Sequence, residues 1–242
     1  MDQAAVLPAL LTTVGTLFVA ELTDKDALFL LALATKTKAS VVFASGSFEA
    51  FVKDEHGKPL SDVVVSLTHV GGAAPSPRPA PAVMDQQNRT FVPLVLAVPV
   101  GTAVTFPNRD NIRHHVYSFS SPKRFELPLY MGTPAAPVLF DKPGVVVLGC
   151  NIHDWMVGYI YVSATPHFGK TTDDGIVRLA DVAAGAYEAR VWHPRMRGEP
   201  EKSGKPITIA EGNPGRLEFV VALRPDRRPP VPPSTYEQRP QS

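Results

Sequence analysis

From Phe48 onward, apolar and polar positions alternate with the period of two that a strand requires. The segment Phe48 to Val70, FEAFVKDEHGKPLSDVVVSLTHV, gives two such runs around a turn at His56-Gly57-Lys58-Pro59. Gly71 to Pro81 is rich in Gly, Ala and Pro and reads as a linker. From Met84 to Val162, short β-like runs are separated by turn residues at Gly101, Asn108 to Asn111, Pro122, Gly132 and Lys142-Pro143-Gly144. Regular short strands of this kind predict a sandwich. A further strand set begins at Thr171, with TTDDGIVRLADV, GAYEARVWHP and KPITIAEGNPGRLEFVVAL. After Arg224 the chain is rich in Pro and Arg and ends in polar residues, so 225–242 reads as a disordered tail.

The first forty-five residues follow another pattern. Ala4 to Ala20 is largely apolar, broken by Pro8 and several threonines. A charged cluster of Glu21, Asp24, Lys25 and Asp26 separates it from a second apolar run, Ala27 to Ala34. Neither run reaches the ~20 apolar residues of a membrane span. Together they suit one long amphipathic helix or a helical pair. The start lacks the positive region of a secretory signal.

Composition supports the β reading. The 25 prolines among 242 residues suit short strands and turns better than long helices. A formal net charge of +1 gives no broad basic face for nucleic acid. Hydrophobic residues at 44% and charged residues at 19% fit a globular core. Cys150 is the single cysteine, which excludes an intramolecular disulfide and directs attention to its neighbours.

Those neighbours carry the chemistry. The run GCNIHDWM places Cys150, His153 and Met156 within seven residues. A blue-copper site needs two imidazoles and one thiolate in a trigonal plane, with a weak axial thioether. The thiolate suits Cu(I) and the imidazoles accept Cu(II). The fourth ligand must come from a distant strand, and FPNRDNIRHHVYSF supplies His114, or His115 as the alternative. Zinc is the rival metal, but it prefers four firm ligands and Met is a poor one. A Cys-His nucleophile is weaker still, with no third partner evident. Binuclear copper would need a second cysteine. His56, His69, His167 and His193 read as surface or turn residues.

On these residues the chain resembles the small cupredoxins of the plastocyanin and amicyanin type, whose pattern pairs V-x-F-x-N…HHV with C-x2-H-x2-M. In that family the upstream ligand is a His followed by Asn and Val, so His114 matches the ligand and His115 stands where the Asn would be. That Asn helps tie the two ligand loops together. More closely, Met84 to Phe168 resembles bacterial plastocyanin-like proteins of the methylamine utilization type, through FVPLVLAVPVGTAVTFPNRD, HHVYSFS, KRFELPLY, FDKPGVVVLGCNIHDWM and VSATPHF. The resemblance implies one copper ion held by His114, Cys150, His153 and Met156. It also implies one-electron transfer and no catalysis, a place in the periplasm or on the outer face of the bacterial membrane, and protein redox partners. In cupredoxins the downstream His reaches the surface through an apolar patch, and here Ile152, Trp155 and Met156 flank His153. A copper buffer or delivery module without a redox partner is the alternative reading.

Two further resemblances frame the organisation. VKDEHGKPLSDVVVSL is similar to the opening of the carboxypeptidase regulatory-like, or transthyretin-like, sandwich. Thr172-Asp173-Asp174-Gly175, Leu179 and Ala184-Gly185-Ala186-Tyr187 match its later half. Neither half alone has enough strands to bury a core; joined, they give about seven strands and an expected core of Val52, Val64, Leu67, Leu179, Tyr187, Val191 and Phe219. The expected fold is therefore all-β: a cupredoxin Greek-key sandwich at 84–168, inserted in or next to a transthyretin-like sandwich at 47–70 and 171–224. An apolar helical segment at 1–45 precedes them. Within it, FVAELTDKDALFLLALA resembles the first repeat of a membrane cation-transporter family. The second motif copy and further spans are lacking, so a membrane anchor or a fusion remnant is expected, with membrane association through 1–45.

Overall fold

The computed structural model describes residues 45–71, 78–134 and 136–232. The apolar segment expected to be helical lies outside the described residues except for Ser45. Two strands come first, β1 (Ser45–Asp54) and β2 (Val64–His69). Ten follow: β3 (Ala82–Val83), β4 (Asp85–Gln87), β5 (Thr90–Val92), β6 (Val95–Pro99), β7 (Thr102–Thr105), β8 (His114–Ser118), β9 (Phe125–Tyr130), β10 (Val138–Phe140), β11 (Gly144–Gly149) and β12 (Val157–Ser163). The chain closes with β13 (His167–Lys170), β14 (Ile176–Ala183), β15 (Gly185–Trp192), β16 (Lys205–Ile209) and β17 (Gly215–Val221). The only described helix is a four-residue 3-10 turn, Pro200–Ser203, so the all-β expectation holds. No described helix is long and apolar enough to cross a membrane.

The first and last strands combine into a flanking sandwich. One sheet has the order β14-β1-β17, with β14 antiparallel and β17 parallel to β1. The other has the order β13-β2-β15-β16. Alternation puts Tyr187, Ala189 and Val191 of β15 inside and leaves Glu188 and Arg190 less buried. They meet Phe48, Val52, Leu67, Leu179 and Phe219 in one core. Each large apolar side chain removed from water there contributes about 1.5–3 kcal/mol before entropy is counted. Val64, expected in this core from its apolar character, points the other way. Val63 and Val65 take the inward positions, and a period of two turns Val64 outward.

Local chemistry shapes the turns and joins the two ends of the chain. The Asp54 carboxylate accepts the backbone N–H groups of His56 (2.9 Å) and Lys58 (2.8 Å), while Gly57 takes φ +83°. The buried Thr171 hydroxyl donates to Leu60 O (2.7 Å) and accepts Val63 N–H (3.0 Å). One side chain therefore satisfies backbone groups more than a hundred residues away.

Between these halves stands a central sandwich. A five-stranded sheet, β6-β12-β11-β8-β9, packs with β10-β7-β3 around Phe106, Val116, Phe140, Val146, Leu148 and Ile160. β4 and β5 form a separate hairpin. Its Asn88-Arg89 turn has φ of 54° and 57°, the positive pair that a two-residue hairpin turn demands. The chain returns to the flanking sandwich through Ala164-Thr165-Pro166, where the Thr165 hydroxyl donates to Leu67 O (2.5 Å). A third apolar cluster fills the seam between the sandwiches. Val64, Val95 and Trp192 are its buried members, with Tyr159 and Tyr161 against the Trp192 ring at centroid distances of 6.0 and 5.6 Å. Residues 225–232, expected to begin a disordered tail, make defined contacts: Asp226 Oδ2 lies 3.6 Å from Arg195 Nη1, and Arg89 Nη2 donates to Pro232 O at 2.7 Å.

Candidate metal centre

The site forms where β8 and the loop after β11 approach one another. β11 and β8 pair at Gly149 and Tyr117, which brings Cys150 beside the start of β8. The Tyr117 ring covers Gly149 so closely that a Cβ there would stand 2.7 Å from Tyr117 Cζ. Only glycine permits this approach. His114 opens β8, and a register shift between His114 and Val116 interrupts its pairing with β9. Downstream, Met156 N–H donates to His153 O (2.9 Å) and Val157 N–H to Trp155 O (3.1 Å), closing the Cys150–Met156 segment into a tight loop.

His114, Cys150 and His153 converge. One ligand atom from each lies within 4.8 Å of the others. Cys150 Sγ is 3.7 Å from His153 Nδ1, and the two imidazole centroids are 5.0 Å apart. His114 is fully buried, Cys150 is buried, and His153 is partly exposed. Met156, 1% exposed, belongs to the same core cluster as Cys150.

The electrostatics favour the metal-ready forms of Cys150 and His153, while His114 is shifted the other way. Burial pushes the Cys150 thiol up. The His114 imidazole and the backbone N–H groups of His115 and Ile152 outweigh it and hold the thiol below its ordinary range. Burial also pulls His114 down, but Cys150 and Asp110 leave it above the usual histidine value. Burial, and then the nearby His114, hold His153 below its usual value, which favours the neutral imidazole a metal needs.

The fit to a metal ion rests on one buried atom. His114 Nε2 lies 2.7 Å from Asp110 Oδ2. An ionised carboxylate only accepts, so Nε2 carries the proton and Nδ1 carries the lone pair. That Nδ1 is buried and has no hydrogen-bond partner among the described residues. An orphaned imidazole nitrogen beside a depressed thiol and a second imidazole could hold one metal ion, and copper is among the ions such donors suit. Two imidazoles, one thiolate and a buried thioether nearby fit that ion.

His115 follows the other face of its strand. Its Nε2 is 2.8 Å from Glu126 Oε1, and its ring lies 5.6 Å from Tyr117 and away from the His114–Cys150–His153 group. With His115 in place of the Asn, the position contributes to the site through its backbone N–H, which helps hold the Cys150 thiol below its ordinary range. Of the remaining histidines, His193 opens a turn as expected, with its carbonyl accepting Met196 N–H (2.9 Å), and three are partly buried. His69 and His167 pack edge-on against Tyr187 at 5.1 and 6.0 Å, and burial, then Arg195, lowers His193 to about 4.

Sequence reasoning missed the polar support. Asn108 Nδ2 donates to Ile112 O (2.8 Å) and Tyr130 O (2.9 Å), and its Oδ1 accepts Asp110 N–H (3.0 Å). Gln86, fully buried, donates to Phe106 O (3.1 Å) and to the Tyr130 hydroxyl. The signal was the polar run Asn108 to Asn111 just ahead of His114, which reads as an ordinary turn until its backbone partners are seen.

No protein-family model matches the chain, and no curated protein matches it. Solved structures do. A copper-containing nitrite reductase from Thermus scotoductus SA-01 is 31% identical over 40% of this chain, which spans only 25% of that enzyme, with a TM-score of 0.33. A mutant amicyanin in its Cu(I) form is 24% identical over 34% of this chain and 82% of its own, with a TM-score of 0.31. A purple cupredoxin from Nitrosopumilus maritimus is 30% identical over 34% of this chain and 99% of its own, with a TM-score of 0.31. Over that part of its length, the chain is similar to cupredoxins.

Proposed function

We propose that this chain is a mononuclear type 1 (blue) copper protein that passes single electrons in the periplasm, acting as a carrier and not as an enzyme. The observation that carries the reading is the convergence of His114, Cys150 and His153 around an orphaned His114 Nδ1. His114, Cys150 and His153 are the strong ligands in this proposal, and Met156 is the weak axial one. Bound copper supplies a one-electron couple between its +1 and +2 states.

The protein's part is to hold the ligands still and dry. Three side chains fixed by β8 and by a hydrogen-bonded loop rearrange little when the charge at their centre changes. Backbone N–H groups of His115 and Ile152 aimed at the Cys150 sulfur stabilise its thiolate form. The core around Phe106, Val116 and Leu148 excludes water from the thiolate side. His153 alone of the three is partly exposed, with Ile152 47% exposed beside it, so this edge is the proposed point of electron entry and exit.

The proposed organisation is a cupredoxin domain, 84–168, inserted into a transthyretin-like sandwich made of 47–70 and 171–224. It is of the plastocyanin-like methylamine utilization type, meets protein redox partners, and associates with the membrane through 1–45. β1 pairing with β14 and β17, and β2 pairing with β15, support the insertion.

Voltammetry of the copper-loaded protein tests the function. A reversible one-electron couple with fast self-exchange is expected. Copper that exchanges electrons slowly and is stripped readily by a chelator would instead make the chain a copper buffer.

A further inference from the structure

We infer that Asp110 is a positioning residue for the upstream metal ligand, fixing the His114 tautomer and placing a negative charge behind it. The inference rests on the ligand set proposed above and extends it to a residue outside that set. Asp110 Oδ2 takes the proton-bearing Nε2 of His114 at 2.7 Å. The carboxylate is itself held from behind. Asn88 N–H donates to Oδ1 (2.7 Å) and Arg89 N–H to Oδ2 (2.8 Å), and the Asp110 side chain is only 13% exposed.

Those two donors belong to the β4–β5 turn, whose paired positive φ values turn successive N–H groups toward one point. Asn108 Oδ1 fixes the Asp110 backbone through its N–H (3.0 Å). The carboxylate therefore has little freedom to leave His114, and a rotation of the imidazole would break its one hydrogen bond while Nδ1 has no other partner to gain.

Two consequences follow. Asp110 holds a proton on Nε2, so Nδ1 is the nitrogen left to face Cys150 before any metal arrives. The fixed charge, passed through the imidazole, makes His114 a stronger donor and favours the more highly charged state of a bound metal. Removal of the charge should raise the reduction potential.

Two variants separate these effects. Asp110→Asn keeps an acceptor oxygen and loses the charge, whereas Asp110→Ala loses both. In the metal-free wild type, nitrogen-15 NMR of the imidazoles should show His114 as the Nε2–H tautomer, and in Asp110→Ala that form should cease to dominate. Copper affinity of Asp110→Ala should fall about 10–100-fold. Asp110→Asn should remain blue, with a potential above that of the wild type. A wild-type tautomer retained in Asp110→Ala, or a potential unchanged in Asp110→Asn, overturns the inference, and the second arm stands even if the alanine variant does not fold. Wild-type protein that binds no copper would overturn the proposed function, while the tautomer measurement would still judge Asp110 alone.

Discussion

The two sandwiches bury different things. The flanking sandwich closes over Phe48, Val52, Leu67, Tyr187 and Phe219, and its deeply buried Thr171 is fully engaged with backbone partners. The central sandwich buries Gln86, Asn108, His114 and His115 together with Cys150. Two adjacent histidines there each keep an Nδ1 without a hydrogen-bond partner among the described residues. Leaving a buried polar atom unsatisfied costs about 1–3 kcal/mol; the flanking sandwich carries that cost at His69 Nδ1 and Arg190 Nε, whereas the central one carries it at two neighbouring imidazoles, one of them beside Cys150. The difference teaches where the polar groups that could hold an ion are gathered, and that the mainly apolar sandwich meets the central one through the Trp192 seam. Substitutions should separate the two roles.

The largest expected effect is on the metal. Cys150→Ser should abolish the visible charge-transfer band completely, because a hydroxyl cannot replace the soft thiolate. Far-UV circular dichroism should show both sandwiches intact. Retention of the band in this variant would remove the thiolate from the account.

Next comes the support. Phe48→Ala should destabilise the protein by about 3–5 kcal/mol in urea unfolding, through lost burial and a residual cavity. Copper colour should persist wherever the variant is folded. Bleaching of the folded variant would show that the two regions cannot be separated in this way.

A smaller effect concerns acid. His193, at the edge of the flanking sandwich, is held at about 4 by burial and then by Arg195. The unfolded chain takes up that proton near the ordinary value of about 6.5, so its contribution is complete above that pH. It is lost progressively as the pH falls toward 4. Urea unfolding between these limits should show a shallower pH slope in His193→Asn than in the wild type. Equal slopes would show that His193 does not titrate as its surroundings dictate.

The smallest effect is expected next to the site. His115→Ala should leave the colour unchanged, because the His115 side chain turns to Glu126 and stands outside the His114–Cys150–His153 group. The lost contact joins a buried imidazole to the 69% exposed Glu126 carboxylate, so its loss should be read in stability and not in colour. A colourless His115→Ala together with a blue His114→Ala would move the upstream ligand by one position.

Much of this comparison was legible in the sequence. Alternation marked the strands, and the Cys150-x2-His153-x2-Met156 spacing marked the downstream loop. A strand count of each half pointed to pairing across the insertion, and β1 does pair with β14 and β17. What stayed hidden depends on tertiary direction. Val64 looked like a core residue because apolar character does not say which sandwich a strand face meets, and it faces the seam. Asp110 looked like a turn residue because the N–H groups that hold it come from a hairpin some twenty residues earlier. The proline-rich segment after Arg224 looked unstructured because its contacts, Asp226 with Arg195 and the Pro232 carbonyl with Arg89, join partners far apart in the chain.

Titration of the metal-free wild-type protein with Cu(II), followed by visible absorption, tests the central claim most directly. The account predicts one equivalent of copper and an intense blue band from thiolate-to-copper charge transfer, rising linearly to that point. A tight but colourless copper complex, or no saturation at one equivalent, would contradict it.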